Sequence, residues 1–460
     1  MTNRLLLLSL CFISFIKIQA QDVHRTACDG DLIKLDSMLQ YTDINILDDR
    51  GRTLLHWAAA CKQVKVMDEI IDRGVKIDHI DNDGNSALYY AFSFQRDSLI
   101  DQMIAIQPTN EWVTIEGAKL IQNSILNGNM KQVQTLIENG VDIEIENERG
   151  TRPLELAKRV DATEIYDWLQ TQGADVSKIR SFTASGPYFG QENPGLTKQV
   201  FAPNFISTEE FEYGSVFNKE ATEFYYAIAK NDYPVIRFTR LIDGVWSEPV
   251  TILSDEKYGY NDPFLSPDEI RLYFISERNM DGSDIKEDHD IWYVQKTDDG
   301  SWSEPINAGP NINSEWNEYY ISFTNTGTMY FASNVNAPEE RKRSDQDIYY
   351  SPFVDGEFQE PVRLSDSINT ENYEADVFID PDEEYIIYCS TRPEGLGRGD
   401  LFISFYNVDG SWAEAENMCD AVNCVLHELC PYVTADGKYL LYTSNREIYW
   451  ISTEVLDKYR

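Results

Sequence analysis

Gly51, Gly84, Gly117 and Gly150 stand 33 residues apart. A fixed period of this length constrains the fold more than composition does. Each period holds one small unit that cannot bury its own apolar face, so copies must stack on one another. A related string follows each glycine: Thr53-Leu54-Leu55-His56-Trp57-Ala58, Ser86-Ala87-Leu88-Tyr89-Tyr90-Ala91, Lys119-Leu120-Ile121-Gln122-Asn123-Ser124 and Arg152-Pro153-Leu154-Glu155-Leu156-Ala157. A second glycine ends the unit at Gly74, Gly140 and Gly173, with Gln107 in the remaining copy. Between the two glycines, Val64, Val66, Met67, Ile70 and Ile71 fall on one helical stripe. The second glycine permits a left-handed exit from that helix. Asp81-Asn82-Asp83-Gly84 and the run from Glu146 to Gly150 supply turn residues.

These strings resemble the ankyrin repeat, in period and in its Thr-Pro-Leu-His-x-Ala signature. The resemblance covers about residues 22–177, as four copies and a leading helical half-repeat. It implies an all-α solenoid without chemistry of its own that binds protein partners on a concave face. His56 occupies the signature histidine, so the resemblance implies a structural hydrogen bond between turns. The loop tips at Asp48–Arg50, Asn82–Asp83 and Asn147–Arg149 are mostly acidic and favour a basic partner.

After Gly173 the pattern changes. Residues 180–196 are rich in Ser, Gly and Pro, and the expected organisation is ankyrin repeats over 21–178, a linker over 179–195 and a second domain over 196–460. That domain is built from short runs of Tyr, Phe, Ile and Trp bounded by turns. Aligned on the turn residues Glu220, Asp268, Thr326, Asp382 and Asp436, it shows five copies with steps of 48, 58, 56 and 54. In the second copy, Pro263–Leu265 predicts a strand A and Arg271–Ser276 a strand B. Asp290–Val294 predicts a strand C, and Ser301-Trp302-Ser303-Glu304-Pro305 opens a strand D. Four short strands per unit, repeated around a ring, describe an all-β propeller of five blades. The strings Ser-Pro-Asp-x-x-x-Leu-Tyr-Phe and Asp-Ile-Trp/Tyr resemble the WD-like repeats of TolB-type propellers of exported bacterial proteins, which commonly have six blades. The fifth copy lacks a strand D. Val200–Asn204 resembles Asn307–Asn311, the connection from D to A, so the segment around Val200 is expected to complete the last blade and close the ring.

Three residue types recur where propeller geometry gathers them on one face. Glu212, Glu318, Glu374 and Glu428 precede strand A, and the second copy has Tyr260 there with Asp262 two residues on. Arg278, Arg392 and Arg446 follow strand B; Asp290, Asp347, Asp400 and Glu447 open strand C. One reading makes Glu212, Asp262, Glu318, Glu374 and Glu428 a ligand-binding ring at the channel mouth, where carboxylate repulsion is relieved by a cation or basic ligand. The other makes each Glu a cap on its own blade and pairs each Arg with its Asp. No cofactor is required; a divalent cation such as calcium is left open by the loop Asn279–His289, which carries Asp281, Asp284, Glu287 and Asp288. The loop Asn336–Gln346 carries Glu339-Glu340-Arg341-Lys342-Arg343, a dense basic cluster and a candidate docking point. Signatures of nucleophile-elbow hydrolases, zinc proteases, phosphate loops and dinucleotide folds are missing. The expected function is therefore a non-catalytic scaffold. The alternative is a propeller-type glycan hydrolase, which would need only two of these carboxylates.

Residues 1–20 read as a signal peptide: Arg4 begins it, Leu5 to Ile16 is apolar, and Ala20 fits a cleavage site. Export to a periplasmic or secreted location is expected, with no membrane insertion. Removal of Cys11 leaves Cys28, Cys61, Cys389, Cys419, Cys424 and Cys430 as disulfide candidates. Cys419, Cys424, His427 and Cys430 also form a string that could ligate zinc. With 78 Asp+Glu against 39 Lys+Arg and a formal charge of −39, nucleic acid and anionic lipid are disfavoured as partners. Protein partners, a basic one in particular, and glycans remain.

Overall fold

The computed structural model describes residues 22–107, 111–230, 233–280, 285–337 and 345–460. Residues 1–21, with the expected signal peptide, therefore lie outside it, as do Asp281, Asp284 and the Glu339–Arg343 cluster. The chain divides into two compact units between Arg180 and Ser181.

The first unit is an ankyrin solenoid. A leading pair, the helix over 22–29 and Leu32–Leu39, precedes four further pairs: Leu54–Ala60 with Val64–Asp72, Ala87–Ser93 with Asp97–Ala105, Gly117–Leu126 with Met130–Glu138, and Pro153–Arg159 with Thr163–Thr171. Leu55, Met67, Leu88, Ile121 and Leu136 lie in one continuous core, each contributing about 1.5–3 kcal/mol by leaving water. Gly51, Gly84 and Gly150 hold φ of 74°, 75° and 70° in the finger turns. Gly117 differs from them: it begins a helix, and a Cβ there would lie 3.3 Å from both Val141 methyl groups. It is kept small by packing.

Polar groups in the stack are satisfied by the next repeat. His56 Nδ1 bonds Thr53, and its Nε2 bonds the Asn85 carbonyl one repeat on, at 3.1 Å. Burial lowers its pKa to about 4, so the neutral imidazole is the folded form. Ser86 donates from its backbone N–H and hydroxyl to the two oxygens of Glu116 at 2.9 and 2.6 Å. Arg180 closes the far end on Glu155 and Thr151. A Cys28–Cys61 disulfide joins the leading helix to the first full repeat.

The second unit is a five-bladed β-propeller of antiparallel sheets. The innermost strands A are Glu212–Phe217, Asn261–Leu265, Glu318–Phe323, Glu374–Ile379 and Leu429–Val433. The ring closes as expected: Gln199–Val200 pairs with Glu447–Ser452, in the register Gln199 with Trp450 and Val200 with Tyr449. Phe201 seals the closure, fully buried against Phe189, Phe217, Phe224 and Trp450. Residues 184–195, which composition marks as connecting chain, run along blades 1 and 5. Trp246 donates to the carbonyls of Ala184 and Gly186, and Ser452 N–H donates to the Gly195 carbonyl.

Strand D differs from its expected place. In blade 2 it is Ile306–Asn307, and Trp302 instead forms an isolated bridge with Lys296. The Trp-Ser-Glu-Pro string thus leads into the strand: its tryptophan bridges back to the residues after strand C, and its proline, with no N–H to give to a ladder, stands just before strand D. Asn313, Asn369 and Asn423 each accept a backbone N–H of strand C, from Ile291, Ile348 and Leu401. They lock the D-to-A connection to its blade in three copies.

Candidate functional site

The four glutamates occupy equivalent places, and all are buried. Each accepts hydrogen bonds from the residue four positions earlier, through both its backbone N–H and its side chain. These partners are Thr208 for Glu212, Ser314 for Glu318, Thr370 for Glu374 and Cys424 for Glu428. Strand B adds a hydroxyl in three blades: Ser333 to Glu318, Ser390 to Glu374 and Ser444 to Glu428. Every glutamate is bonded within its own blade and fastens the loop before strand A. Burial raises Glu318 to about 7 against these bonds. It also raises Glu374, with Arg392 acting in the opposite direction.

The arginines find other partners than the strand C aspartates. Arg392 reaches Glu374 at 3.5 Å, the Ile368 carbonyl and the Tyr388 hydroxyl. Arg278 lies over Tyr258 and Trp292, and Arg446 over Phe211. Asp347 pairs with Arg363 of strand D instead, and Asp290 with Lys286.

Asp262 belongs to a different ring. The A–B pairing is broken by a register shift in all five blades. One residue of each strand A turns there into positive φ: Gly214 at 54°, Asp262 at 48°, Tyr320 at 43°, Asp376 at 51° and Cys430 at 53°. Such bulges re-aim a side chain, and these five converge on the axis. Cys430 Sγ is 3.5 Å from Asp262 Oδ1, although their blades are not sequential, and Tyr320 donates to the Pro431 carbonyl at 2.9 Å. A Cβ on Gly214 would come within 2.7 Å of Asp262 Oδ1, so glycine is what allows the approach. Beyond this ring Phe264, Phe378 and Tyr432 close the axis with centroid separations of 6.0 and 6.1 Å. On their far side lies an apolar cavity of about 80 Å³.

Before the ring, Tyr213, Tyr319 and Tyr373 face the same space. The Tyr213 hydroxyl donates to Asn261 Oδ1, and Tyr319 bonds His289 and Asn317. Burial raises Asp262 to about 6. It raises Asp376 to about 8, and there the Asp262 charge adds to it. Asp376 escapes an alignment on the glutamates because it stands two places after Glu374. The signal was present: Asp262 stands two places after Tyr260 in the same way.

The cysteines outside the disulfide do not converge. Cys430 meets Asp262, Cys424 donates to Glu428, Cys419 to the Asn417 carbonyl, and Cys389 lies 3.4 Å from His427 Nε2. Burial raises the Cys389 thiol and lowers the His427 imidazole, so this pair is neutral and lacks the thiolate that nucleophilic chemistry needs. All four stay as thiols. Among the described residues, no group of three or more His, Cys, Asp and Glu side chains is placed to hold a metal.

In the ankyrin unit the expected loop tips are held by side-chain hydrogen bonds to their own backbone. Asp48 accepts two backbone N–H groups of its turn and the Trp57 indole N–H at 2.9 Å. Asp81 does the same, with the Tyr90 hydroxyl at 2.8 Å. Tyr90 stacks on Phe94, which is 49% exposed. Asn147 accepts the N–H groups of Arg149 and Thr151.

The family model for ankyrin repeats (three copies) matches residues 23–109. The chain is 31% identical over 120 residues to the putative ankyrin repeat protein FPV223 of fowlpox virus (strain NVSL), covering 25% of this chain and 82% of that protein. It is 24% identical over 181 residues to the nuclear factor NF-kappa-B p105 subunit of Gallus gallus, covering 38% of this chain and 18% of that one. The chain thus spans under a fifth of that relative's length. Among solved structures, the human ASB11 ankyrin repeat domain matches with a TM-score of 0.31 and 20% identity, over 34% of this chain and 70% of that chain. No described helix is long and apolar enough to cross a membrane. The finger turns, the inter-repeat bonds and the extent of the fowlpox match converge on one assignment: the chain belongs to the ankyrin-repeat family.

Proposed function

We propose that the protein is an exported, non-catalytic scaffold whose ankyrin unit docks a basic segment of a protein partner. The observation that carries this reading is the pairing of Trp57 with Asp48 and of Tyr90 with Asp81. Each aromatic ring is fixed by the acid of its own finger turn, which lowers the entropy cost of using it as an anchor. The finger tips add negative charge, in keeping with a net charge of −39, and this favours cationic segments. The Leu5–Ile16 apolar run and Ala20 support export.

The test is a set of peptides graded in net charge and titrated onto the whole protein. Binding should rise with positive charge, weaken with salt, and fall about tenfold or more in Trp57→Ala with Tyr90→Ala. Charge-independent binding, or binding indifferent to both substitutions, would sink the proposal. Mass spectrometry of the exported protein should find Gln21 at its start. Glycan turnover abolished by a single Glu→Gln change at Glu212, Glu318, Glu374 or Glu428 would overturn the non-catalytic part.

A further inference from the structure

We propose that the axial chamber of the propeller binds a small aliphatic amine in its ammonium form, held between the Asp262 and Asp376 carboxylates and the rings of Tyr213, Tyr319 and Tyr373. This inference stands apart from the ankyrin docking face and rests on different residues.

The chamber is reachable. Asp262, Asp376 and the three tyrosines are each partly accessible, whereas Tyr320, Cys430 and the Phe264–Phe378–Tyr432 collar beyond them are buried. Two of its hydroxyls are engaged, Tyr213 on Asn261 and Tyr319 on His289 and Asn317, but its acids are not. Among the described residues the Asp376 carboxylate has no hydrogen-bond or ion-pair partner, and neither does the Tyr373 hydroxyl. Asp262 receives only the weak Cys430 thiol contact. No Lys or Arg charge stabilises either carboxylate; burial dominates both, and at Asp376 the Asp262 charge adds to it. Lys286, the basic side chain at the start of strand C in blade 2, is paired with Asp288 and Asp290. Two carboxylates enclosed without a counter-cation are costly until a proton or a cation joins them.

The surroundings select the kind of cation. Calcium and magnesium take six or more oxygen ligands or a shell of waters, and the chamber offers no grouping that could hold a metal. Three tyrosine rings around two acids suit an organic ammonium, which gains from aromatic faces and from charge-assisted hydrogen bonds together. Unlike the glutamates, the residues of this ring differ from blade to blade: four blades contribute a side chain that the adjoining blades do not repeat, and the fifth contributes Gly214.

Protons compete for the same place. Ammonium binding requires both acids ionised, so affinity must rise with pH as Asp262 and then Asp376 lose their protons. The other titratable groups facing the chamber are Glu277, Asp288, His289, Cys389, Cys430 and Tyr320. Burial keeps both thiols and the tyrosines protonated through this range.

Isothermal titration of the full-length protein with n-butylammonium chloride tests the assignment, with n-butanol and calcium chloride as comparison ligands. Binding should be roughly a hundredfold tighter near pH 8.5 than near pH 6, with proton release visible as a dependence on buffer ionisation enthalpy. Asp376→Asn should weaken it about tenfold or more while circular dichroism shows a folded protein. Should that variant not fold, Tyr373→Leu should cost about fivefold by removing one ring. Four results would each overturn the proposal: n-butanol binding as tightly as the amine, calcium binding more tightly, an amine affinity flat with pH, or no amine heat near pH 8.5.

Discussion

The ankyrin unit and the propeller are both built by repetition, and they place repeated residues in opposite situations. In the solenoid a translation separates equivalent positions: His56 bonds the next repeat, while the Tyr89 N–H donates to the Ser86 cap of its own helix. In the propeller a rotation brings equivalent positions to one axis. Glu212, Glu318, Glu374 and Glu428 can repeat because each is enclosed by its own blade. One step inward, five identical side chains could not fit, and the ring becomes Gly214, Asp262, Tyr320, Asp376 and Cys430. Closure therefore forces variety at the centre, and that variety is where a ligand preference can be written.

The largest test of this contrast is Glu374→Ala. It leaves Arg392, 6% exposed, as a buried charge without its carboxylate, and should cost about 3–5 kcal/mol in denaturant unfolding of the propeller. Reduction of Cys28–Cys61 should be smaller, about 2–4 kcal/mol, and should stay local. Hydrogen exchange should accelerate over residues 22–72 and leave the propeller unchanged, as nearest-neighbour stacking requires.

Acid should separate the units by sign. His56 has a folded pKa below its unfolded value, so its contribution is present above about pH 6.5 and is lost as pH falls towards 4. The ankyrin amides should lose up to roughly 3 kcal/mol of protection over that window. Asp262 and Asp376 are raised, so the native propeller binds more protons than its unfolded chain between about pH 4 and 8. Its stability should grow as pH falls through that window, the opposite slope. The smallest change is Asp376→Asn at neutral pH, expected within about 1 kcal/mol of the parent, since a carboxyl raised to about 8 is mainly protonated there and the amide is also neutral. A large loss there would mean that Asp376 serves the fold as the glutamates do.

Much of this architecture can be read from the chain because repetition amplifies weak signals. The finger turns at Gly51, Gly84 and Gly150, the count of five blades and the closing role of Val200 all follow from recurrence. The residues that escaped are those where local geometry overrides the period. Gly117 keeps the spacing of a turn glycine yet packs inside a helix under Val141. Trp302 marks its copy clearly but lies before strand D, in an isolated bridge with Lys296, and Pro305 has no N–H to give to a ladder. Asp376 sits two places after a glutamate that attracts attention by recurring, and only the bulge in strand A reveals that these neighbours face different surroundings. Alignment finds what blades share; a channel is lined by what they do not share.

The pairing of Gln199 with Trp450 has a consequence for biogenesis. Roughly 250 residues must be made after the closing strand before its partner exists, which at ribosomal speed is on the order of tens of seconds. During that wait blade 1 can form, but the Gln199–Val200 segment has no edge to join. The nascent chain thus carries an unpaired strand until the Glu447–Ser452 strand has been made. Factors that shield such edges should be engaged by chains stalled before Glu447 and released once Ser452 has emerged.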